Sequence, residues 1–372
     1  MERRGYYGLK YGGQYMPEAL INALTAVENE FEFVANDGCY TNEVDFFQYQ
    51  YAGRKTPLYK CRRLTKECDG ADIYLKREDI GVWSSTNFNF IAGQVIIGKR
   101  IGKTQIITAA PNMDFALAVA SCGAATGLLA TIFIGMDCYD KEKSNKLKAL
   151  GANEVVVKEG GFYQARTRAI SLWSDCTEKA IYVESSAWGA NPYPKMIEEL
   201  SKVVGEEVKS EFLDTLKKLP DMVITPLGIG AASVGMFSPF EEDDVKLVGV
   251  EDEEFSIMNN GRLGIHHGMC SLFLEDEKDD PVKMPFGNYA GIEPKHVALK
   301  ESGRASYVTV TRNEAKEAFK KLASLEGILA SYQSCLAVAY AMKMASSMSY
   351  EQNVVVTLAG NVDKAWIDEC MD

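Results

Sequence analysis

QIITAAPNMDFALAVASCGAATGLLATIFI, residues 105–134, sets the fold class. QIITA (105–109) is a β-branched apolar run of strand length, the stretch near 114–127 is long enough only for a helix, and LLATIFI (128–134) is a second apolar strand. A strand returning through a helix to another strand that is apolar on both faces is the signature of a parallel sheet covered by helices. The same alternation runs outward in both directions. Upstream stand DIYLK from residue 72 and a helix near 87–101. Downstream come a helix at 141–150, NEVVVK (153–158), a helix near 162–174 and AIYVES at 180–185. MVITPLGIG (222–230), KLVGVE (246–251) and NVVVTLAG (353–360) read as further buried strands ending in small residues. Open sheets of this kind take ligands beyond the carboxyl ends of their strands, so AAPNMD, PLGIGAAS and LAGNVD all point at one cleft. LEDEKDDPVK (274–283) breaks the alternation as a polar surface excursion.

A chain of 372 residues exceeds one ordinary core and suits two lobes with a cleft between them. The net charge of −12, with no basic stripe, argues against a nucleic-acid partner. No apolar run reaches membrane-helix length and the start lacks a secretory core, so a cytoplasmic protein without a membrane partner is expected. Nine cysteines without paired spacing suit reduced thiols, and three histidines make a histidine-rich metal site improbable, so no metal is expected.

Several segments carry a family likeness: YGGQYMPEALINAL near the start, GRKTPLYKCRRLT (53–65), IYLKRED (73–79), GQVIIGKRIGKT (93–104), GANPYPKMIEEL, VGMFSPF with LVGVE, GRLGIHHGM, YAGIEPKHVALKESGRASYVTVTRNEA, EGI and TLAGNVDK. In order and spacing the chain resembles the β subunit of tryptophan synthase along essentially its whole length. The resemblance implies an α/β fold of type II, two lobes with parallel and mixed sheets flanked by helices. One lobe is expected at 53–195, with a mobile segment at about 95–185, and the other from 1–52 plus 196–372. It also implies a homodimer. The helix at 141–150 is shorter than the family's equivalent, which puts docking of an α subunit in doubt.

In that family a lysine forms a Schiff base with pyridoxal phosphate, and serine is joined to indole. Several residues here depart from its pattern. The family's HTGAHKINN falls on Val82 to Phe90, so the lysine becomes Asn87, and an amide is no nucleophile. ETGAGQHG falls on Ala109 to Ala116, replacing the proton-handling glutamate with Ala109 and two glycines with Pro111 and Met113. The phosphate loop GGGSNA reads GIGAAS, keeping Gly228 and Gly230 but gaining Ala231 and Ala232. The serine that meets the pyridine nitrogen becomes Ala359, and the glutamate of ALESS becomes Gln333. These departures lead to the expectation of a chain that works without the cofactor. Rescue by a relocated lysine is the least favoured alternative, and Lys76 within IYLKRED reads as structural.

A cleft relieved of its polar walls would take a small aromatic, indolic or terpenoid-like ligand. Asp114 and His267 are the candidates for acid–base work, because both can exchange protons near neutral pH, and Asp114 would orient the imidazole. The bland readings are a helix cap for Asp114 and loop packing for the histidine pair. Asn87, Asn89, Asn112, His266, Asn288, Gln333 and Asn361 are the expected ligand-binding groups. Trp83, Phe88, Phe90 and Phe115 read first as core filler in the volume the cofactor would occupy. The functional expectation is cyclisation, isomerisation or condensation of a small metabolite. The alternative is a pseudoenzyme that binds a ligand or partner subunit and regulates it.

Overall fold

The computed structural model describes residues 4–81, 83, 85–228, 231–277, 282, 284 and 289–372. Among these, three sheets organise the chain. The largest has six strands, in the order Ala305–Val310, Lys246–Asp252, Met222–Pro226, Asn353–Leu358, Asp72–Arg77 and Leu58–Lys60. All neighbours are parallel except the last pair, where Leu58–Lys60 runs antiparallel along the edge. The second sheet has four parallel strands in the order Asn153–Val157, Leu129–Gly135, Gln105–Ala110 and Ala180–Tyr182. A small antiparallel sheet joins Tyr6–Tyr7, Tyr11–Gly12, Met269–Phe273 and Arg262–His266.

The apolar runs are continuous because helices cover both faces of the six-stranded sheet. Ile73, Leu75, Val354 and Val356 pack with Leu336 and Val338 in one core cluster, whereas Tyr74 and Val355 pack with Val208, Phe212 and Phe237 in another. Successive residues of a strand point to opposite faces, so one short run serves two helical layers. The four-stranded sheet is buried against its own helices through Ile106, Ile132 and Ile134.

The lobes divide differently from expectation. Leu58–Lys60 and Asp72–Arg77 lie in the six-stranded sheet with residues 222–358, so the stretch that opens the expected 53–195 lobe belongs to the other layer. Conversely, the helices Glu18–Val34 and Gly38–Gln50 bring Leu20, Leu24 and Phe47 into the core of the four-stranded sheet. Strand pairing and apolar faces, not chain order, set the division. No helix among the described residues is long and apolar enough to cross a membrane.

Candidate active site

The strand Gln105–Ala110 ends in Pro111, and the chain enters the helix Met113–Thr126 with Asn112 as its cap, whose Oδ1 accepts from the Phe115 N–H at 2.9 Å. Asn112 therefore does the capping, and Asp114 in the first turn is free for another task. Its Oδ1 accepts from Lys143 Nζ at 2.7 Å and its Oδ2 from Asn361 Nδ2 at 2.7 Å. Each partner is placed by its own element. Lys143 lies in the first turn of Lys141–Ala149, a helix capped by Asp140, whose Oδ1 accepts from the Lys143 N–H at 2.7 Å. Asn361 follows the strand Asn353–Leu358, where Ala359 is fixed on both sides. The Ala359 carbonyl accepts from Ser331 Oγ at 2.8 Å and from Ser334 Oγ at 2.9 Å, while its N–H donates to Ser334 Oγ at 3.0 Å. Gly360, with φ of 73°, then turns the chain toward Asp114.

These groups line a cavity of about 600 Å³. The three strand ends expected at the cleft all reach it, through Pro111 to Asp114, Gly228, and Gly360 to Asp363. Of the expected ligand-binding groups, Asn87, Asn112, Gln333 and Asn361 line it with Asp114. Asn87 sits in the first turn of Ser85–Arg100, its Nδ2 donating to the Trp83 carbonyl at 2.8 Å. Asn288 lies outside the described residues.

Three expected site residues are elsewhere. Asn89 is fully buried and accepts from Arg54 Nη1 at 3.2 Å, inside a network of Arg54, Glu78, Thr56, Glu207 and Lys76. It stands two residues from Asn87, on another face of the same helix. In that network Lys76 Nζ bonds Glu207 and the Thr56 carbonyl, and burial pushes its pKa down, so its role is structural. His266 Nε2 meets Glu275 Oε1 at 2.6 Å, and its Nδ1 meets the Tyr163 hydroxyl at 3.2 Å. His267, in the turn between two antiparallel strands at φ 46°, meets the Tyr289 hydroxyl at 2.8 Å and Thr167 Oγ1 at 3.1 Å. Asp114 does not orient it, since both carboxylate oxygens of Asp114 are engaged by Lys143 and Asn361. Burial, with the nearby Arg166 guanidinium, pushes the His267 pKa well below 6.5, so the proton exchange near neutrality inferred from its ordinary value is not what this setting provides. Tyr289 links the two regions. It lines the main cavity and also a neighbouring one of about 460 Å³, walled by Met136, Phe162, Tyr163 and Met284.

The cavity is also more polar than expected. Ala109, Ala231, Ala232 and Ala359 are buried in the core and do not line it. Phe88, Phe90 and Phe115 are core filler, Phe90 stacking on Phe115 with ring centroids 6.4 Å apart. Sequence reasoning missed Lys143, Thr86 and Glu293. Thr86 lines the cavity with a buried hydroxyl that has no partner among the described residues. Glu293 is buried behind Ser186, whose Oγ donates to its Oε1 at 2.7 Å, and burial raises its pKa to about 7. Lys143 stood in a charged run that reads as a solvated helix face, and nothing local announces a contact made across the cleft.

Two lobes closing on a polar cavity at strand ends define a class. The chain belongs to the family described as pyridoxal-phosphate dependent enzyme, whose profile it matches over residues 49–360, and to the tryptophan synthase β-like, fold type II part of it. It is 35% identical over 379 residues to the tryptophan synthase beta chain of Lacticaseibacillus casei (strain BL23), covering 97% of this chain and 93% of that protein. Among solved structures it is similar to a fungal L-serine ammonia-lyase from Rhizomucor miehei, with TM-score 0.66 and 20% identity over 85% of this chain and 97% of that one. It is also similar to the processed form of threonine deaminase isoform 2 from Solanum lycopersicum, with TM-score 0.67 and 16% identity over 100% and 97%.

The family match overturns the expectation of a chain without the cofactor. That expectation rested on the departures at Asn87, Ala109, Pro111, Met113, Ala231, Ala232, Gln333 and Ala359 taken together, and of these Asn87, Pro111, Met113 and Gln333 line the cavity, which also contains two lysines, Lys143 and Lys364. Two features would suit the phosphate end of that group, the Thr86 hydroxyl, which has no partner among the described residues, and the left-handed turn at Gly228 with φ of 82°, whereas the charge of the walls does not, because Asp114, Asp137, Asp140 and Asp363 outnumber Lys143 and Lys364.

Proposed function

We propose that the chain is an enzyme of lyase or isomerase type that acts on a small metabolite in the Asp114 cavity by acid–base chemistry. Pyridoxal phosphate, when bound, supplies an electron-withdrawing ring that stabilises negative charge on a neighbouring carbon. Thr86 and the Gly228 turn would hold its phosphate, and Lys143 would face it from the opposite helix. Asp114 is the proton-carrying group, and Asn87, Asn112, Gln333 and Asn361 orient the ligand. The carrying observation is the Asp114 carboxylate, held by Lys143 from one helix and by Asn361 from the end of a strand in the other sheet. A carboxylate gripped from both sides of a cleft is positioned for proton transfer, which is worth roughly 10²–10⁴-fold in rate. The solved proteins of similar fold bear the names of enzymes acting on L-serine and threonine, which favours a small amino acid. The aromatic walls of the neighbouring cavity, Phe162, Tyr163 and Tyr289, favour an aromatic second reactant. The chain is proposed to work as a homodimer.

The test loads purified protein with pyridoxal phosphate and follows product from L-serine, L-threonine, or L-serine with indole. Asp114→Asn is expected to lower kcat at least about 100-fold with KM changed only a few-fold. Full turnover by that variant, or none by the wild type with any of these substrates, would overturn the reading.

A further inference from the structure

The aromatic cavity of about 460 Å³ carries a side-chain set that the chemistry at Asp114 does not use. Tyr163 lines this cavity, and its hydroxyl lies 3.2 Å from His266 Nδ1. On the far side of the imidazole, His266 Nε2 lies 2.6 Å from Glu275 Oε1. We infer that Tyr163, with His266 and Glu275 behind it, is a second proton-transfer centre of this chain, and that its cavity takes a phenolic ligand whose hydroxyl exchanges a proton with the Tyr163 oxygen. The inference shares with the proposed function only the aromatic occupant of this cavity, and it calls on neither Asp114 nor pyridoxal phosphate.

Three observations carry it. First, an ionised carboxylate can only accept, so His266 Nε2 holds the proton given to Glu275, and Nδ1 is left as the lone pair that receives the Tyr163 hydroxyl. The hydroxyl therefore faces a base whose cationic form has a carboxylate already in contact, which favours taking up the proton. Second, the set is assembled from separate elements. Tyr163 is in the first turn of the helix Gly161–Asp175, His266 ends the strand Arg262–His266, and Glu275 lies two residues beyond the paired strand Met269–Phe273. The Phe273 ring packs edge-on against the imidazole at 4.6 Å, and the Glu275 side chain is only 8% exposed, so water screens the pair weakly. Third, the adjacent histidine supplies the contrast. His267 also meets a tyrosine hydroxyl of the cavity, that of Tyr289, but its other nitrogen meets the Thr167 hydroxyl and not a carboxylate. Burial, with Arg166, pushes its pKa well below 6.5. One histidine is set to receive a proton, and the other fixes a ring.

The ligand class follows from the walls. Met136, Phe162, Met284 and Tyr289 suit an aromatic ring, while Asp137 and Lys158 add one charge of each sign. A phenol is the same kind of acid as a tyrosine side chain, so the proton moves between groups of matched strength, where general acid–base transfer is efficient. The step balances without an oxidant or reductant. The ligand O–H bond breaks and its proton joins the Tyr163 oxygen, while the proton that Tyr163 held passes to His266 Nδ1. The products are a phenolate and an imidazolium paired with Glu275, and the reverse sequence returns the proton.

The test uses 4-nitrophenol as the probe, because its ionised and neutral forms absorb at different wavelengths. Titrated with purified wild-type protein, the bound probe is expected to show an ionised-to-neutral ratio raised roughly tenfold over that in buffer at the same pH. Tyr163→Phe keeps the ring, and is expected to bind the probe within a few-fold by equilibrium dialysis and to lose the rise. His266→Gln is expected to lose it as well, and Glu275→Gln to diminish it, with urea unfolding confirming an intact fold in each. A rise that persists in Tyr163→Phe, or one that Lys158→Gln abolishes and His266→Gln keeps, overturns the centre. Wild-type protein that fails to bind 4-nitrophenol overturns the ligand class and the centre together. None of these readouts needs turnover, so the proposed function stands or falls separately on the kinetics of Asp114→Asn.

Discussion

Replacing Glu293 with glutamine should remove a pH dependence that the wild-type fold carries. Glu293 is fully buried, its Oε1 accepts from Ser186, and its Oε2 has no partner among the described residues. The groups around it do not offset an ionised carboxylate. Glu251 is itself a buried carboxyl, held by Ser256 and the N–H groups of Ile257 and Met258, and offers no positive charge. His296, between Ser233 and Tyr307, is pushed by burial down to about 3 and is therefore neutral. Burial first, and Glu251 in smaller part, lift Glu293 from its ordinary 4.5 to about 7. At ~1.4 kcal/mol for each pH unit, the ionised form is about 3 kcal/mol costlier in the folded chain than in the unfolded one. The sign follows from proton binding. Between about pH 4.5 and 7 the folded chain holds a proton that the unfolded chain has released, so this stability is present below 4.5 and is lost as pH rises through 7. Glutamine resembles the protonated acid and has no proton to lose. Urea unfolding followed by tryptophan fluorescence at pH 5, 6, 7 and 8 reads the difference between variant and wild type, in which other titrating groups cancel. That difference should move in favour of E293Q by about 2.5 kcal/mol between pH 5 and pH 8. A difference flat to within about 0.5 kcal/mol would refute the reasoning, because a group titrating alike in both states contributes no slope.

Two further expectations rest on other groups. Glu207→Gln removes the charge that answers both Lys76 and Arg54, leaving Glu78 as the carboxylate between them, and should lower stability by about 3 kcal/mol in urea unfolding. That deficit should narrow as pH rises toward the ordinary lysine value of 10.5, because the displaced Lys76 pKa lets the folded chain release its proton earlier than the unfolded one, and a pH-independent deficit would count against the buried charge. Thr86→Val, which removes only a hydroxyl without a partner among the described residues, should leave unfolding within about 0.5 kcal/mol and weaken pyridoxal phosphate binding roughly tenfold by equilibrium titration. Unchanged affinity would remove Thr86 from the phosphate contacts.

The strands were legible because their signal is local. QIITA, NEVVVK, KLVGVE and NVVVTLAG fall within a residue or two of Gln105–Ala110, Asn153–Val157, Lys246–Asp252 and Asn353–Leu358. β-branched runs between turn residues name strands whatever their partners. The sheet to which each belongs was not legible, since Asp72–Arg77 pairs with Asn353–Leu358 from the far end of the chain, and only their shared two-faced burial dictates the match. Within the site the distinction is similar. Asn112, Asp114, Gly228 and Asn361 follow strand ends and were found by topology. Asn89 was misplaced because two positions along a helix turn a side chain about 200° around its axis, away from the cavity that Asn87 lines.

Lys143 shows what an alignment leaves out of a cavity. Alignment compares one position with its counterpart, and at Asn87 it reported an amine lost. The reacting volume, however, is defined by whatever side chains converge on it in space, and Lys143 converges from a helix with no sequence tie to Asn87. Its partner Asp114 was judged alone as a replacement acid or base, when the geometry makes it one member of a lysine–aspartate–asparagine set. A carboxylate paired with a lysine on one side and an amide on the other differs from a lone aspartate, because both of its oxygens are already engaged and its direction is fixed. What a cavity can do is therefore not read from one aligned position until the other walls have been counted, and here the opposite wall carries a lysine paired with a carboxylate.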